Sequence, residues 1–469
     1  MTAAFQVAVI AECETKEVQS GARLREPYHA GFLPVDGQLE AVFQHVLHPV
    51  DQASRLVAGE DHKVIRVPHE FRVGPSRRSV RSVEPLLEPV QVDVRQKRRD
   101  RRSLRRTLFR VRQLPCFEDT GRQPLPNQPD DPRIPDPVLD ELGRAAGRGV
   151  QVRLLLDRGF HRTYPQPADS LGALPGVTLR LIDFARIAGG VQHGKVLAVD
   201  GRAVWLGSQN LDWRALSHIH ELGARVTVPE VVRAFGEVFE RDWAAADSSA
   251  RPSPEAAATP WPIAFTQDGA TGRMWASASP RNALPASLRW DHDVLIERIE
   301  AATRTLEAQV LSYGVSGHGA KDSTLHQALQ AAARRGVRVR LIVSDWVLGG
   351  RGEADLRALA ATPGIEVRIS HVPEWSVGYI PFARVEHLKF MVVDEAWLWL
   401  GTSNWDPSYW LQSRNFAVTV QHVPSAQRAH GIFETSWNAP GVERLTPDAK
   451  LAPRVHGETP PPGVTMYGE

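Results

Sequence analysis

From about residue 137 onward the apolar positions of the chain alternate between runs that read as buried strands and stretches with the period of a helix face. Residues 138–149 (VLDELGRAAGRG) read as a helix and are followed by the apolar runs VQVRLLLD (150–157) and VTLRLI (177–182). Two shorter apolar runs, VLAV (196–199) and AVWLG (203–207), flank an Asp-Gly-Arg turn, and ARVTV (224–228) predicts one more strand. A helix is predicted from Pro229, because Val231, Phe235, Val238 and Phe239 fall on one face. The second half follows the same order, with a helix over 291–302, a strand over 304–313, a helix over 325–336 and a strand over 337–346. Alternating helices and buried strands predict an α/β fold with a largely buried mixed sheet in each half.

The two halves share a polar skeleton as well as an apolar one. Residues 191–210 read VQHGKVLAVDGRAVWLGSQN, and residues 386–404 read EHLKFMVVDEAWLWLGTSN. His193, Lys195, Asp200, Gly207 and Asn210 recur at a constant offset of 194 as His387, Lys389, Asp394, Gly401 and Asn404. The same offset relates FERDW (239–243) to FETSW (433–437), so the repeat is a whole lobe and not a motif alone. Alternation along a strand puts each His and its Lys on the same side, and the apolar residues that follow bury the rest of the strand on both faces.

Composition sharpens this picture. The chain has 42% hydrophobic residues and a net charge of +2, enough for sizeable cores but with no global field that would call for nucleic acid or a membrane. Seven of its residues are lysines against 49 arginines, yet Lys195 and Lys389 occupy equivalent places, where a compact ammonium is wanted. The two cysteines, Cys13 and Cys116, lie outside the repeated part, so neither a disulfide framework nor a Cys-based metal site is expected there. Two histidines and two lysines without clustered carboxylates suit phosphoryl chemistry. Cations would hold the phosphate oxygens, one imidazole would attack and the other would move protons.

These motifs, H-x-K-x4-D followed by G-S-x-N or G-T-x-N, resemble the signature of the phospholipase D superfamily. LGSQNLDWRALSHIHELG (206–223) and IPFARVEHLKFMVVDEAWLWLGTSNW (380–405) are most similar to its lysosomal 5′-exonuclease and poxvirus-envelope branch. The resemblance covers residues 137–437 and implies two phospholipase D-like lobes about a pseudo-twofold axis, with one active site between them. It also implies a phosphodiesterase that works through a phosphohistidine. Carried over to this chain, the catalytic set is His193, Lys195, Asp200, His387, Lys389 and Asp394, with His193 as nucleophile, His387 as acid and base, and both Asp residues as positioning groups. Ser208, Asn210, Ser403 and Asn404 would support the phosphate. The acidic position eleven residues after each motif Asn is Glu221 in the first half and Asn415 in the second, so Glu221 is expected to accept from His193 and make it the more basic imidazole. No cofactor or metal is expected. His218 and His220 have ligand-like spacing, but they read as satisfied polar residues. Trp213, Trp397, Trp399, Trp405 and Trp410 read mainly as core, with one or two at the cleft rim able to stack on bases.

The remaining segments set the domain plan. Residues 1–130 are read as irregular, Arg-rich and either disordered or a misassigned start, 131–247 as lobe 1, 248–262 as a Pro/Ala/Ser linker, 263–437 as lobe 2, and 438–469 as a loosely packed Pro-rich tail. Ten basic residues fall within 95–112, which read as a solvated tail or an anionic-polymer patch. Lobe 1 is expected to lack its opening helix and strand. FEDTGRQPLP (117–126) stands where that strand belongs, and LRRTLFRVRQL (104–114) is a weak substitute. The expected partner is a phosphodiester substrate, either a phospholipid or single-stranded nucleic acid, with a homodimer left open and no stable membrane span. The chain as written reads as cytoplasmic, or as exported if a start carrying a signal has been lost. The competing readings are a catalytically impaired remnant or interaction protein, and an Arg-rich nucleic-acid binder that carries a nuclease domain.

Overall fold

The computed structural model describes residues 7–12, 109–114, 137–247, 258–376, 378–454 and 456–467. The described residues fall within one unit, and they form two lobes. Lobe 1 contains β1 (Val7–Glu12), β2 (Phe109–Leu114), α1 (Pro137–Gly147), β3 (Gln151–Asp157), α2 (Arg158–Thr163), α3 (Gln166–Gly172) and β4 (Val177–Ile182). It continues with α4 (Phe184–Ala188), β5 (Val196–Val199), β6 (Ala203–Gly207), α5 (Trp213–Ser217), β7 (Glu221–Val226) and α6 (Pro229–Ala245). Its seven strands are ordered β2-β7-β6-β5-β1-β3-β4.

Lobe 2 opens with β8 (Ile263–Gln267), β9 (Ala270–Ser279), β10 (Arg289–Trp290), α7 (Asp291–Glu300) and β11 (Thr305–Val310). A two-strand ribbon follows, β12 (Ser316–Gly317) with β13 (Ala320–Lys321), then α8 (Thr324–Arg334), β14 (Arg338–Ser344), α9 (Arg351–Ala360) and β15 (Ile365–Ser370). β16 (Lys389–Val393), β17 (Trp397–Gly401), α10 (Pro407–Leu411), β18 (Asn415–Gln421), α11 (Val423–Trp437) and β19 (Val442–Leu445) complete it. Its main sheet runs β10-β9-β18-β17-β16-β11-β14-β15-β19.

Each motif strand is apolar on both faces because each sheet is covered on both sides. One continuous core joins α6 (Val231, Phe235, Val238) and α11 (Ala429, Phe433, Trp437) to the inner faces of both sheets. One further core lies under the outer helices of each lobe. The layers are therefore outer helices, sheet, a central helix pair, sheet and outer helices.

Three expectations are corrected. The central place that β11 fills in lobe 2, parallel to β14 and antiparallel to β16, is not empty in lobe 1. β1 takes it in the opposite direction, antiparallel to β3 and parallel to β5. An extended segment of either polarity satisfies the backbone groups that β3 and β5 would otherwise leave unpaired. Residues 109–114 do not substitute for that strand, because they pair with β7 at the sheet edge as β9 pairs with β18. Residues 117–126 and the linker at 248–257 lie outside the described residues. The Pro-rich tail is also more tied down than expected: β19 extends the sheet at β15, and Arg454 and His456 bond the buried carboxylate of Asp345. No helix among the described residues is long and apolar enough to cross a membrane.

The lobes are tied by an ion pair that links α6 to β18. Arg414 donates to both carboxylate oxygens of Asp242 at 2.7 and 2.8 Å, and to the carbonyls of Ser279 and Ala283. Removing one partner of such a buried pair strands a charge, so Arg414→Ala is expected to cost about 3–5 kcal/mol. Urea unfolding measures this, and a loss below about 1 kcal/mol would contradict it.

Candidate active site

The chain enters each motif strand through a short crossing between the lobes. Gln192 forms an isolated bridge with Arg414, and Glu386 forms its twofold counterpart with His220. The amide of His193 donates to the Arg414 carbonyl at 3.0 Å, and the amide of His387 donates to the His220 carbonyl at 3.0 Å. Two equivalent backbone contacts thus bring both histidines to the seam, with Lys195 and Lys389 two residues further along. The four side chains are almost fully buried, with His193 4%, Lys195 0%, His387 5% and Lys389 1% exposed. Each lysine donates to the carbonyl of its own histidine, at 2.8 Å in lobe 1 and 2.5 Å in lobe 2.

The partner of each imidazole comes from the other lobe. Nδ1 of His387 lies 2.8 and 3.0 Å from the two oxygens of Glu221, and Nδ1 of His193 lies 2.8 Å from Oδ1 of Asn415. The expected pairing of Glu221 with His193 is therefore wrong, because the lobe crossing exchanges the partners. The orientation of Asn415 is set by its surroundings. Its Nδ2 donates to the carbonyl of Tyr409 at 2.7 Å, and its Oδ1 also accepts from Thr402 Oγ1 at 2.9 Å. Oδ1 therefore faces His193 and selects the tautomer with a proton on Nδ1 and none on Nε2. The Tyr409 ring packs edge-on against His193 at 4.6 Å.

Thr402 is a residue that the motif spacing left out. The offset of 194 makes it the equivalent of Ser208, whereas Ser403 matches Gln209. Ser208 Oγ accepts from the Leu222 amide at 2.9 Å, and Thr402 Oγ1 accepts from the Phe416 amide at 3.1 Å. Ser208 also hydrogen-bonds Glu221. Asn210 and Asn404 are buried beside the motif strands, at 2% and 3% exposure.

The Asp residues of the motifs stand apart from this cluster. Asp394 lies five residues beyond Lys389, about 16 Å along a strand. Its carboxylate accepts from the amides of Thr303, Arg304 and Thr305 and from the Thr303 hydroxyl, which fixes the entry to β11. Asp200 ends β5 at the equivalent place, and both Asp residues have a left-handed backbone, with φ of 52°.

Burial governs the electrostatics. Desolvation drives Lys389 down to about 7 against the pull of Glu221, and it drives Lys195 well below its usual value, with Lys389 adding to the effect. Both imidazoles are held well below their ordinary range by burial and then by the two lysines. Burial raises Glu221 to about 8, although Lys389, Ser208 and Lys195 pull it down. The unliganded site therefore resists carrying charge, and an anion placed among these groups would restore it.

The remaining candidates fall elsewhere. His220 bonds Glu386, while His218 packs edge-on between Trp213 and Trp375, so the two histidines do not form a ligand pair. Trp399, Trp405 and Trp410 are core, and Trp397 stacks under Arg298. Trp213, the first residue of α5, is part-exposed, as is Trp397. Among the described residues, Glu307, His430 and Glu434 lie within metal-ligand reach of one another. Arg340 donates to both carboxylates, so a cation already occupies that position.

Residues 133–243 and 295–437 match the family described as cardiolipin synthase, PLD-like domain. The chain belongs to this phospholipase D-like family. It is 29% identical over 321 residues to phospholipase D Z of Dictyostelium discoideum, covering 65% of this chain and 75% of that protein. It is 30% identical over 302 residues to the 5′-3′ exonuclease PLD4 of Mus musculus, covering 57% of this chain and 59% of that protein. A solved phosphatidylserine synthase from Haemophilus influenzae aligns with a TM-score of 0.41 at 15% identity, over 61% of this chain and 69% of that one.

Proposed function

We propose that this protein is a phosphodiesterase that cleaves single-stranded nucleic acid from its 5′ end through a phosphohistidine on His193. The observation that carries the mechanism is the unequal pair of Nδ1 partners, a neutral amide on His193 and a carboxylate on His387. The amide leaves His193 neutral with Nε2 unprotonated for attack, and once an anionic phosphodiester is bound the Glu221 carboxylate favours the protonated form of His387. In the first step a His193 Nε2–P bond forms and the P–O bond to the leaving alcohol breaks, while that oxygen takes the proton of His387. In the second step His387 takes a proton from water, the water oxygen bonds phosphorus and the P–N bond breaks. Lys195, Lys389, Asn210 and Asn404 hold the non-bridging oxygens, with Ser208 and Thr402 bracing the two partners of the imidazoles.

The two buried ammoniums supply the charge neutralisation that a metal would otherwise give, so activity is expected to survive a chelator. The relatives named as exonucleases favour a nucleic-acid substrate, and the relative named as a phospholipase D keeps phospholipid as the second reading. A 5′-labelled single-stranded oligonucleotide and a phosphatidyl lipid, each incubated with wild type and with His193→Ala in a chelator, test both. Turnover of the oligonucleotide that is lost in the variant supports the proposal. Turnover of the lipid alone moves it to the second reading, and turnover of neither makes the chain an impaired remnant.

The site's charge predicts a pH dependence. Lys389 titrates near 7 when the site is empty, so it is charged below that pH, and a bound anion holds the charge. In the empty site Glu221 ionises near 8 and adds a repelling charge above it. Both effects have the same sign, and anion affinity should fall as pH rises through 7 to 8. Sulfate keeps a constant charge over this range, so its thermal stabilisation of the protein should be larger at pH 6 than at pH 9. An equal shift at both would contradict the assignment.

A further inference from the structure

The crossing strands carry a second histidine–glutamate pair directly behind the first. Consecutive residues on an extended chain point to opposite faces. Glu221 and His387 meet on the cleft side, and their neighbours His220 and Glu386 meet on the other. His220 Nδ1 lies 2.9 Å from Glu386 Oε2, and both residues are 0% exposed. The same carboxylate accepts from Gln309 Nε2 of β11 at 2.7 Å and from the Leu388 amide at 3.3 Å. Three donors converge on Glu386 from both sides of the seam, and one of them is the amide immediately after the catalytic His387.

The other half is built differently. Gln192, the counterpart of Glu386, accepts from the Gly194 amide at 2.8 Å, but Arg414, the counterpart of His220, turns away to Asp242, Ser279 and Ala283. A rear tie made by the bridge residues themselves therefore stands only behind the His387 half. That half has the stricter geometric demand, since His387 must deliver a proton to one oxygen and take one from another while its Nδ1 stays on Glu221.

We propose that His220 and Glu386 form a positioning pair that holds His387 and Glu221 in register for proton transfer; the inference rests on the acid–base role given to His387 above. A displacement of about 1 Å at a reacting group can cost about 100-fold in rate. The pair therefore acts on the proton-transfer steps and leaves the attack by His193 largely intact.

The test uses His220→Leu in the full chain, with two diesters. Bis(4-nitrophenyl) phosphate has a leaving group that needs no proton, and its burst counts the sites able to form phosphoenzyme. A diester with an alkyl leaving group needs the acid. The expected result is a burst rate within about 3-fold of wild type, with kcat per titrated site on the alkyl diester reduced about 10- to 100-fold at unchanged KM. His220→Gln, which keeps a side-chain donor, should recover most of the loss. A kcat per site within about twofold of wild type on the alkyl diester would overturn the proposal, as would a burst on the nitrophenyl diester slowed as much as kcat on the alkyl one, which marks a general structural role. Should His220→Leu fail to fold, the isosteric Glu386→Gln, which sets an amide against those donors, is held to the same outcomes. A wild type that forms no phosphoenzyme overturns the phosphodiesterase reading and this proposal with it, whereas a competent wild type beside an unaffected variant overturns this proposal alone.

Discussion

His193→Ala is expected to abolish turnover by about 10⁴-fold or more, while His387→Ala spares the first chemical step on an activated diester. The asymmetry follows from the two roles. Without His193 no P–N bond can form, whatever the leaving group. Without His387 a nitrophenolate can still depart unprotonated, but the phosphoenzyme then lacks the base that activates water. His387→Ala incubated with bis(4-nitrophenyl) phosphate should therefore release one nitrophenolate and accumulate a 4-nitrophenyl phosphoryl group on His193, stable to base and labile to acid, and His193→Ala should accumulate none. Mass spectrometry of the trapped protein reads this directly. A 4-nitrophenyl phosphoryl group trapped on His387 in the reciprocal experiment would reverse the roles.

Glu221→Gln is expected to lower kcat on substrates with poor leaving groups by about 100-fold, and to affect activated ones far less. The carboxylate is fully buried, and it bonds Nδ1 of His387 through both oxygens. An amide of the same shape can still accept at one atom, but it no longer stabilises the imidazolium from which the leaving oxygen takes its proton. The expected signature is a steeper dependence of rate on leaving-group pKa with an unchanged burst on the nitrophenyl diester. A slowed burst would instead tie Glu221 to the attack by His193. The sequence alone pointed to that second outcome, because the eleven-residue spacing from Asn210 places Glu221 in the same half as His193.

How much was legible without coordinates depended on the range of the interaction. The constant offset of 194 carried the two lobes, the motif strands and the two His–Lys pairs of the proposed site. It also held the equivalence of Ser208 and Thr402, which reading the offset strictly would have found. The partners of the imidazoles were not legible. His193 and Asn415 are 222 positions apart, and His387 and Glu221 are 166 apart. Each pairing is made by the lobe crossing and not by the local spacing.

The same division holds for the fold. An apolar run bounded by turns announces a buried strand, since burial on both faces leaves no room for polar side chains. It does not say which neighbour pairs with it or in which direction. The place of β1 between β3 and β5, with its polarity reversed relative to β11, was therefore outside what sequence could give. The sequence by itself determined which side chains the proposed site holds, because side-chain type and strand alternation are local properties that survive in any fold. Only the tertiary structure decided which histidine faces a carboxylate and which an amide, because that depends on how two covalently distant strands cross, and the difference sets the proton on each ring.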